Sequence, residues 1–381
     1  MVDLLKTVIQ TIFRLFPFPT RTGLRVIGHP GPDAPVFVTC NFDLTVRRVI
    51  KELQGLDCYL LVAPSKGINV WCAAGGGMFN AHSVTSVLKT SRIAEKVNHR
   101  TLILPQLSAP GIDVARVRKE TGWRCRFGPV YARDIPAYVA ANFKKTDEMR
   151  RARFDLGDRL EMAVMWAGML SFFVGIPVAV VSLKTLPGVL ALLWSFTLFL
   201  FAFYEPVMRF VPGPVSLVKT LVLGLVGVVG LAVYGLAMSD WSVGSIVGWS
   251  LGVLAVAVVL GFDLDGTSPL RAGSTVTYWS QKWPGILNIW AKIGYEIEPF
   301  FTLQVDADRC RGCVTCVEVC PKNVFELYRL NGGQKSRLAR MDECEQCTAC
   351  VKQCPEGAIL AEPPIKTFAV SAPVAAEEWA Q

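Results

Sequence analysis

Eight cysteines fall in two runs whose spacing is that of metal ligands. The first run reads Cys310-x2-Cys313-x2-Cys316-x3-Cys320-Pro321, and the second Cys344-x2-Cys347-x2-Cys350-x3-Cys354-Pro355. In such repeats three close thiolates wrap one iron–sulfur cubane and the fourth crosses to the other. The spacing predicts one [4Fe–4S] cluster on Cys310, Cys313, Cys316 and Cys354, and a second on Cys344, Cys347, Cys350 and Cys320. Zinc is the competing reading, because four-cysteine zinc sites are common. The cysteine–proline endings and the duplication favour iron. Clusters of this kind pass single electrons and have no substrate pocket, so a further redox centre is expected elsewhere in the chain.

The remaining cysteines, Cys40, Cys58, Cys72 and Cys125, are scattered through the first third. Cys72 stands out because it sits in Asn69-Val70-Trp71-Cys72-Ala73-Ala74-Gly75-Gly76-Gly77. A thiolate there is a nucleophile, a ligand to a soft metal or cofactor, or a buried packing residue. The glycine run lets backbone approach a large cofactor, or simply turns the chain. It matches neither a dinucleotide fingerprint nor a phosphate-binding loop. The three histidines, His29, His82 and His99, have no metal-ligand spacing. Cys40, Cys58 and Cys125 read as packed strand residues.

The elements around Cys72 alternate. Strands are expected at 35–42, 56–63, 101–105 and 123–127, and helices at 43–53, 85–97 and 112–121. Residues 69–77 and 106–111 read as loops. This alternation implies an α/β domain with a mostly parallel sheet. Ligands of such sheets sit at the carboxyl ends of strands, where the segments near Thr39, Cys72 and Pro105 would lie.

The chain has 381 residues, 52% of them hydrophobic, and a formal charge of +8. The apolar excess is concentrated in 162–262, where Glu205 and Asp240 are the only acids. Four spans are expected, at 162–183, 187–204, 216–238 and 244–262, close to the ~20 residues that cross a bilayer as a helix. Gly224, Gly227, Gly230 and Gly235 would permit close helix contacts in the third. The basic run Lys144, Lys145, Arg150, Arg151, Arg153 and Arg159 precedes the first span. Lysine and arginine then alternate between the two sides, which predicts a multi-pass protein of the cytoplasmic membrane with both soluble parts in the cytoplasm. The charge therefore points to membrane lipid, not nucleic acid, and a reducing cytoplasm suits the clusters. The domain reading runs as an amphipathic segment at 1–34 with an interfacial helix and no signal peptide, the α/β domain at 35–143, and a basic linker with membrane helices at 144–262. A connector at 263–304, holding Asp263, Asp265, Trp279, Trp283 and Trp290, leads to a ferredoxin-like dicluster domain at 305–365 and a flexible tail at 366–381.

Residues 35–159 resemble the corrinoid-binding domain of the mercury-methylation membrane protein family, itself related to the large subunit of the corrinoid iron–sulfur protein. The family's signature, Asn-Val/Ile-Trp-Cys-Ala-Ala/Gly-Gly-Lys, is met by residues 69–76 except at Gly76, which stands in the lysine position. The likeness extends through 38–48, 99–107 and Gly128-Pro129-Val130, and residues 305–365 resemble the family's two-cluster ferredoxin partner, here fused into one chain. The resemblance implies a Rossmann-like domain binding a cobalamin-type corrinoid, with Cys72 as lower axial cobalt ligand. Asn69, Val70, Trp71, Ala73 and Ala74 would shape the cap segment, and Thr39, Pro105 and Gln106 would hold the corrin edge. It implies a corrinoid-dependent methyltransferase whose own clusters reduce the cobalt. Its partners would be a methyl-donor corrinoid or pterin-linked methyltransferase and a low-potential electron donor. A soft electrophile such as an Hg(II) thiolate complex would accept the methyl group. The family's ferredoxin has extra cysteines outside its clusters, and none lies between Cys320 and Cys344 or after Cys354. The alternatives are a membrane-bound iron–sulfur electron-transfer subunit, or a corrinoid carrier without mercury methylation.

Overall fold

The computed structural model describes residues 2–208, 210, 216–238, 241–264, 301–330, 332–365 and 367–368. Arg209, Asp240, the connector from Asp265 through Trp279, Trp283 and Trp290, and residues 369–381 lie outside the described residues. The chain divides into two compact units. One joins residues 1–16 to the apolar stretch from Phe154, and the other joins residues 17–153 to the dicluster region.

In the first unit, α1 (Val2–Ile12) packs against the first membrane helix; a methyl group added at Gly168 would stand 2.6 Å from Ile12. In the second, a five-stranded sheet has the order β1-β3-β2-β4-β5. Its strands are β1 (Gly23–Ile27), β2 (Val36–Cys40), β3 (Cys58–Ala63), β4 (Thr101–Leu104) and β5 (Arg124–Phe127). β2, β3, β4 and β5 are parallel, as the alternation predicts, and β1 pairs antiparallel with β3. β1 escapes sequence reading because it is a short edge strand with Val26 58% exposed and no adjoining helix signal. Both central strands are buried on both faces. Val36, Val38, Tyr59, Leu61 and Ala63 pack into one core, and Phe37, Cys58, Leu60 and Val62 into another. That accounts for their continuous apolar runs, since each fully buried Val or Leu contributes about 1.5–3 kcal/mol.

The helices of this unit are α2 (Asp43–Leu53), α3 (Val70–Gly75), α4 (Ala81–Ser91), α5 (Val114–Thr121), α6 (Ile135–Ala140) and α7 (Asp147–Arg150). α4 begins and ends earlier than expected. Asn80 Oδ1 accepts from the Ser83 N–H at 3.1 Å, and Arg92 at φ +53° stops the helix. The expected loop at 69–77 is instead a short helix with Asn69 as its cap.

Among the described residues, four helices are long and apolar enough to cross a membrane: Leu156–Val181, Leu186–Pro206, Val218–Ala237 and Val243–Gly261. They make this a multi-pass membrane protein. The first comprises α8 (Leu156–Leu170), a π-turn at Ser171–Gly175 and α9 (Ile176–Val181). Pro177 lacks an N–H and its ring crowds the carbonyl four residues back, so the wider turn relieves the helix ahead of it. α10 (Leu186–Met208), α11 (Ser216–Met238) and α12 (Val243–Leu264) follow. An added methyl at Gly224, Gly227 or Gly235 would meet Ala257, Phe196 or Ile246 within 3.1 Å, whereas Gly230 faces open space. Glu205 pairs with the buried Arg159 at 3.2 Å, whose Nη1 also donates to the Ala202 carbonyl.

The dicluster region repeats a small motif. β6 (Thr302–Val305) pairs with β9 (Ile359–Glu362), and β7 (Phe325–Leu330) forms a hairpin with β8 (Gly333–Leu338). Two short helices, α13 (Thr315–Val319) and α14 (Ala349–Gln353), each follow a non-glycine residue in the left-handed region, Val314 at φ +68° and Thr348 at φ +64°.

Candidate functional site

The order of parallel strands reverses between β2 and β4, the position at which open α/β sheets hold ligands beyond their carboxyl ends. Asn41 organises this end. Its Oδ1 accepts from the Ser65 and Gly67 N–H groups, each at 2.9 Å, and Ser65 Oγ donates to the Ile68 carbonyl at 2.8 Å. The exits of β2 and β3 are thereby tied together just before Cys72. Asn69 Oδ1 accepts from the Cys72 N–H at 3.0 Å, which fixes the first turn of α3. Ala73 and Ala74 are buried behind this turn, whereas Trp71 and Cys72 are half-buried. α3 packs on β2 and on the turn Gln106–Ser108 after β4. Gly111 allows that approach: a Cβ there would stand 2.5 Å from the Ala74 and Phe79 carbonyl oxygens.

Thr39 is buried in β2, and Gln106 is buried after Pro105. The Gln106 side chain is already engaged. Its Nε2 donates to the Arg150 carbonyl at 2.8 Å and the Cys320 carbonyl at 3.4 Å, and its Oε1 accepts from Lys145 Nζ at 3.0 Å. Burial lowers the Lys145 ammonium to about 8, opposed by nearby Glu318. As donor chemistry, a half-buried polarizable sulfur backed by alanines, with no charged side chain in residues 69–77, fits a large apolar metal macrocycle.

The eight clustered cysteines divide between two cavities. Cys310, Cys313, Cys316 and Cys354 line one. Cys320, Cys344, Cys347 and Cys350 line the other. Four sulfurs spread around a cavity suit a multi-iron cluster. Burial pushes Cys316 up to about 11 and Cys350 well above its ordinary value. Such sulfurs ionise only against a neutralising cation. None of the twelve cysteines forms a disulfide.

The dicluster region is docked on the sheet domain. Gln353 Nε2 donates to the Ala109 and Ile112 carbonyls, each at 2.7 Å. Ala109 is wholly buried and belongs to the same hydrophobic core as Cys316, Cys320 and Cys350. The loop 109–112 therefore touches the Cys72 helix through Gly111 and the cluster region through Gln353. Asn41 and Gln353 were missed from sequence. A polar residue directly after an apolar strand could have signalled Asn41, but nothing local marks Gln353.

Residues 5–139 match the family of the CO dehydrogenase/acetyl-CoA synthase delta subunit, and residues 301–359 match the 4Fe-4S dicluster domain family. The acetyl-CoA decarbonylase/synthase complex subunit gamma of Archaeoglobus fulgidus is 38% identical over 129 residues, covering 33% of this chain and 27% of that protein. Its counterpart in Methanopyrus kandleri is 34% identical over 125 residues, covering 32% and 27%. The corrinoid/iron-sulfur protein large subunit of Moorella thermoacetica is 31% identical over 128 residues, covering 33% and 28%. The chain thus spans little more than a quarter of these relatives. Its sheet domain is related to the corrinoid/iron-sulfur protein large subunit and the decarbonylase/synthase gamma subunits, and residues 301–359 to 4Fe-4S dicluster domains.

Proposed function

We propose that this chain is a membrane-anchored corrinoid protein that carries methyl groups and is kept active by its own iron–sulfur region. The observation that carries the reading is the shared loop 109–112, which contacts the Cys72 helix on one side and Gln353 on the other. The relatives' names, which speak of a corrinoid/iron-sulfur protein and of acetyl-CoA decarbonylase/synthase, favour a carrier over mercury methylation.

Cys72 would supply the sulfur ligand to cobalt, with Asn69, Val70, Trp71, Ala73 and Ala74 holding that turn and Thr39, Pro105 and Gln106 flooring the crevice. Gln106 acts there from its backbone, because its amide is committed to Arg150, Cys320 and Lys145. A bound corrin supplies cobalt that accepts and releases a methyl group, chemistry that belongs to the cofactor. The chain's part is to ligate through Cys72, to shield that turn with Trp71, and to bring electrons to it. Cys310, Cys313, Cys316 and Cys354 would hold one [4Fe–4S] cluster, and Cys320, Cys344, Cys347 and Cys350 the other. On this reading both soluble parts would face the cytoplasm, as the lysine and arginine distribution favours. There the chain would meet a methyl-donor methyltransferase, a low-potential electron donor and a methyl acceptor.

Metal analysis of anaerobically purified full-length protein tests this. About one cobalt and about eight irons per chain are expected, from one corrin and two cubanes. Eight irons without cobalt would leave a membrane electron-transfer subunit. Methyl transfer from the loaded protein to Hg(II) would extend the reading to a mercury methyltransferase.

A further inference from the structure

Resting on that reading, we infer an order for the two cysteine cavities. Electrons enter at the cavity lined by Cys310, Cys313, Cys316 and Cys354, and leave for the sheet domain from the one lined by Cys320, Cys344, Cys347 and Cys350.

The exit side is marked by bonds. Cys320, Pro321 and Lys322 form part of the second cavity's wall. The sheet domain grips the backbone carbonyl of each. Gln106 Nε2 donates to Cys320 at 3.4 Å, the Ala152 N–H to Pro321 at 2.8 Å, and Arg150 Nη1 to Lys322 at 3.1 Å. Lys145 Nζ adds a bond to the Glu318 carbonyl at 3.1 Å. Gln106 and Arg150 are 1% and 6% exposed, so the seam is buried and hydrogen-bonded at these two residues and opens to solvent toward Lys145. Electron tunnelling weakens steeply with distance and is helped by bonded, packed paths. Gln106 begins the turn on which the Cys72 helix packs.

The entry side is marked by exposure. Cys313 is an exposed cysteine, and its neighbour Arg311 is 59% exposed while pairing with Glu356 at 3.4 Å. Gly312, at φ +70°, lies so close to the Gln334 backbone that a side chain would not fit, which holds the loop shape around Cys313. A soluble one-electron carrier reaches a cluster most closely where a ligand faces water. Each passage oxidises that carrier by one electron and reduces the receiving centre by one; no proton or group moves.

The test uses full-length protein purified anaerobically in detergent, mixed rapidly with reduced plant-type ferredoxin and freeze-quenched for EPR. Cys313→Ala should slow reduction of the remaining cluster by at least about tenfold relative to Cys347→Ala, an effect on the scale of 1.4 kcal/mol. Cys347→Ala should abolish magnetic broadening of the cobalt(II) signal by a reduced cluster, and Cys313→Ala should retain it. The reverse pattern in either measurement overturns the order. If the cysteine variants lose both clusters, Arg150→Ala keeps all eight ligands. It should slow cobalt reduction by about tenfold while ferredoxin-driven cluster reduction follows the wild type. Cobalt reduction at the wild-type rate, or a slowed cluster reduction, overturns the proposal. Absence of cobalt sinks the corrinoid reading instead, and the relative uptake rates still report the entry cavity.

Discussion

Gln353 and Ala109 lie 244 residues apart in sequence, and the amide nitrogen of one donates to the buried carbonyl of the other at 2.7 Å. The same nitrogen reaches the Ile112 carbonyl at 2.7 Å. One side chain therefore satisfies two carbonyls that have been withdrawn from water.

Gln353→Ala should loosen the docked region. Each buried carbonyl left without a donor costs about 1–3 kcal/mol. Amide exchange in residues 109–112 and in α14 is expected to rise while that of β2 and β3 stays slow. Equal exchange in mutant and wild type would show that the bonds do not hold the two parts together.

Cys72→Ala should leave the fold intact, because the cap bond uses the backbone N–H of residue 72 and alanine suits a helix. The visible spectrum of the cobalt-loaded protein should shift as a sulfur ligand is lost. An unchanged spectrum removes Cys72 from the cobalt.

Asn41→Ala should destabilise the sheet domain by about 1–3 kcal/mol, since the buried Ser65 N–H and the Gly67 N–H both lose their acceptor. Asn41→Asp, which keeps the acceptor oxygens, should recover part of the thermal midpoint. A midpoint unmoved in Asn41→Ala would mean water replaces the side chain.

Burial pushes the Cys40 thiol up to about 11. Above the ordinary thiol pKa, near 9, the unfolded chain releases this proton while the folded chain keeps it. The unfolded state then binds fewer protons, so stability falls as pH rises from about 9 to 11. The loss is about 3 kcal/mol at most. Thermal midpoints should drop more steeply across that window in the wild type than in Cys40→Ala. Parallel slopes would deny the linkage.

Gly227→Val should disrupt the membrane helices, because its Cβ would lie 2.8 Å from Phe196 and 3.2 Å from Val253. Gly230→Val points into open space and should be tolerated. Comparable melting of the two variants in detergent would contradict this packing.

The sequence by itself determined whatever depends on local pattern. Cysteine spacing specified two four-thiol sets, apolar run length specified four membrane helices, and alternating strands and helices specified a mostly parallel sheet. The Asn-Val-Trp-Cys turn was legible as a special place, though as a loop. Its helix depends on the Asn69 cap, a choice that an asparagine before a short apolar run does not force. Only the tertiary structure decided the rest. Gln106, expected at the corrin edge, turns its amide to the cluster region, and Gln353 fastens that region to the loop after β4. These bonds join residues more than 200 positions apart. No periodicity records such a pairing, because a polar side chain in a short helix reads as solvated until another part of the chain covers it.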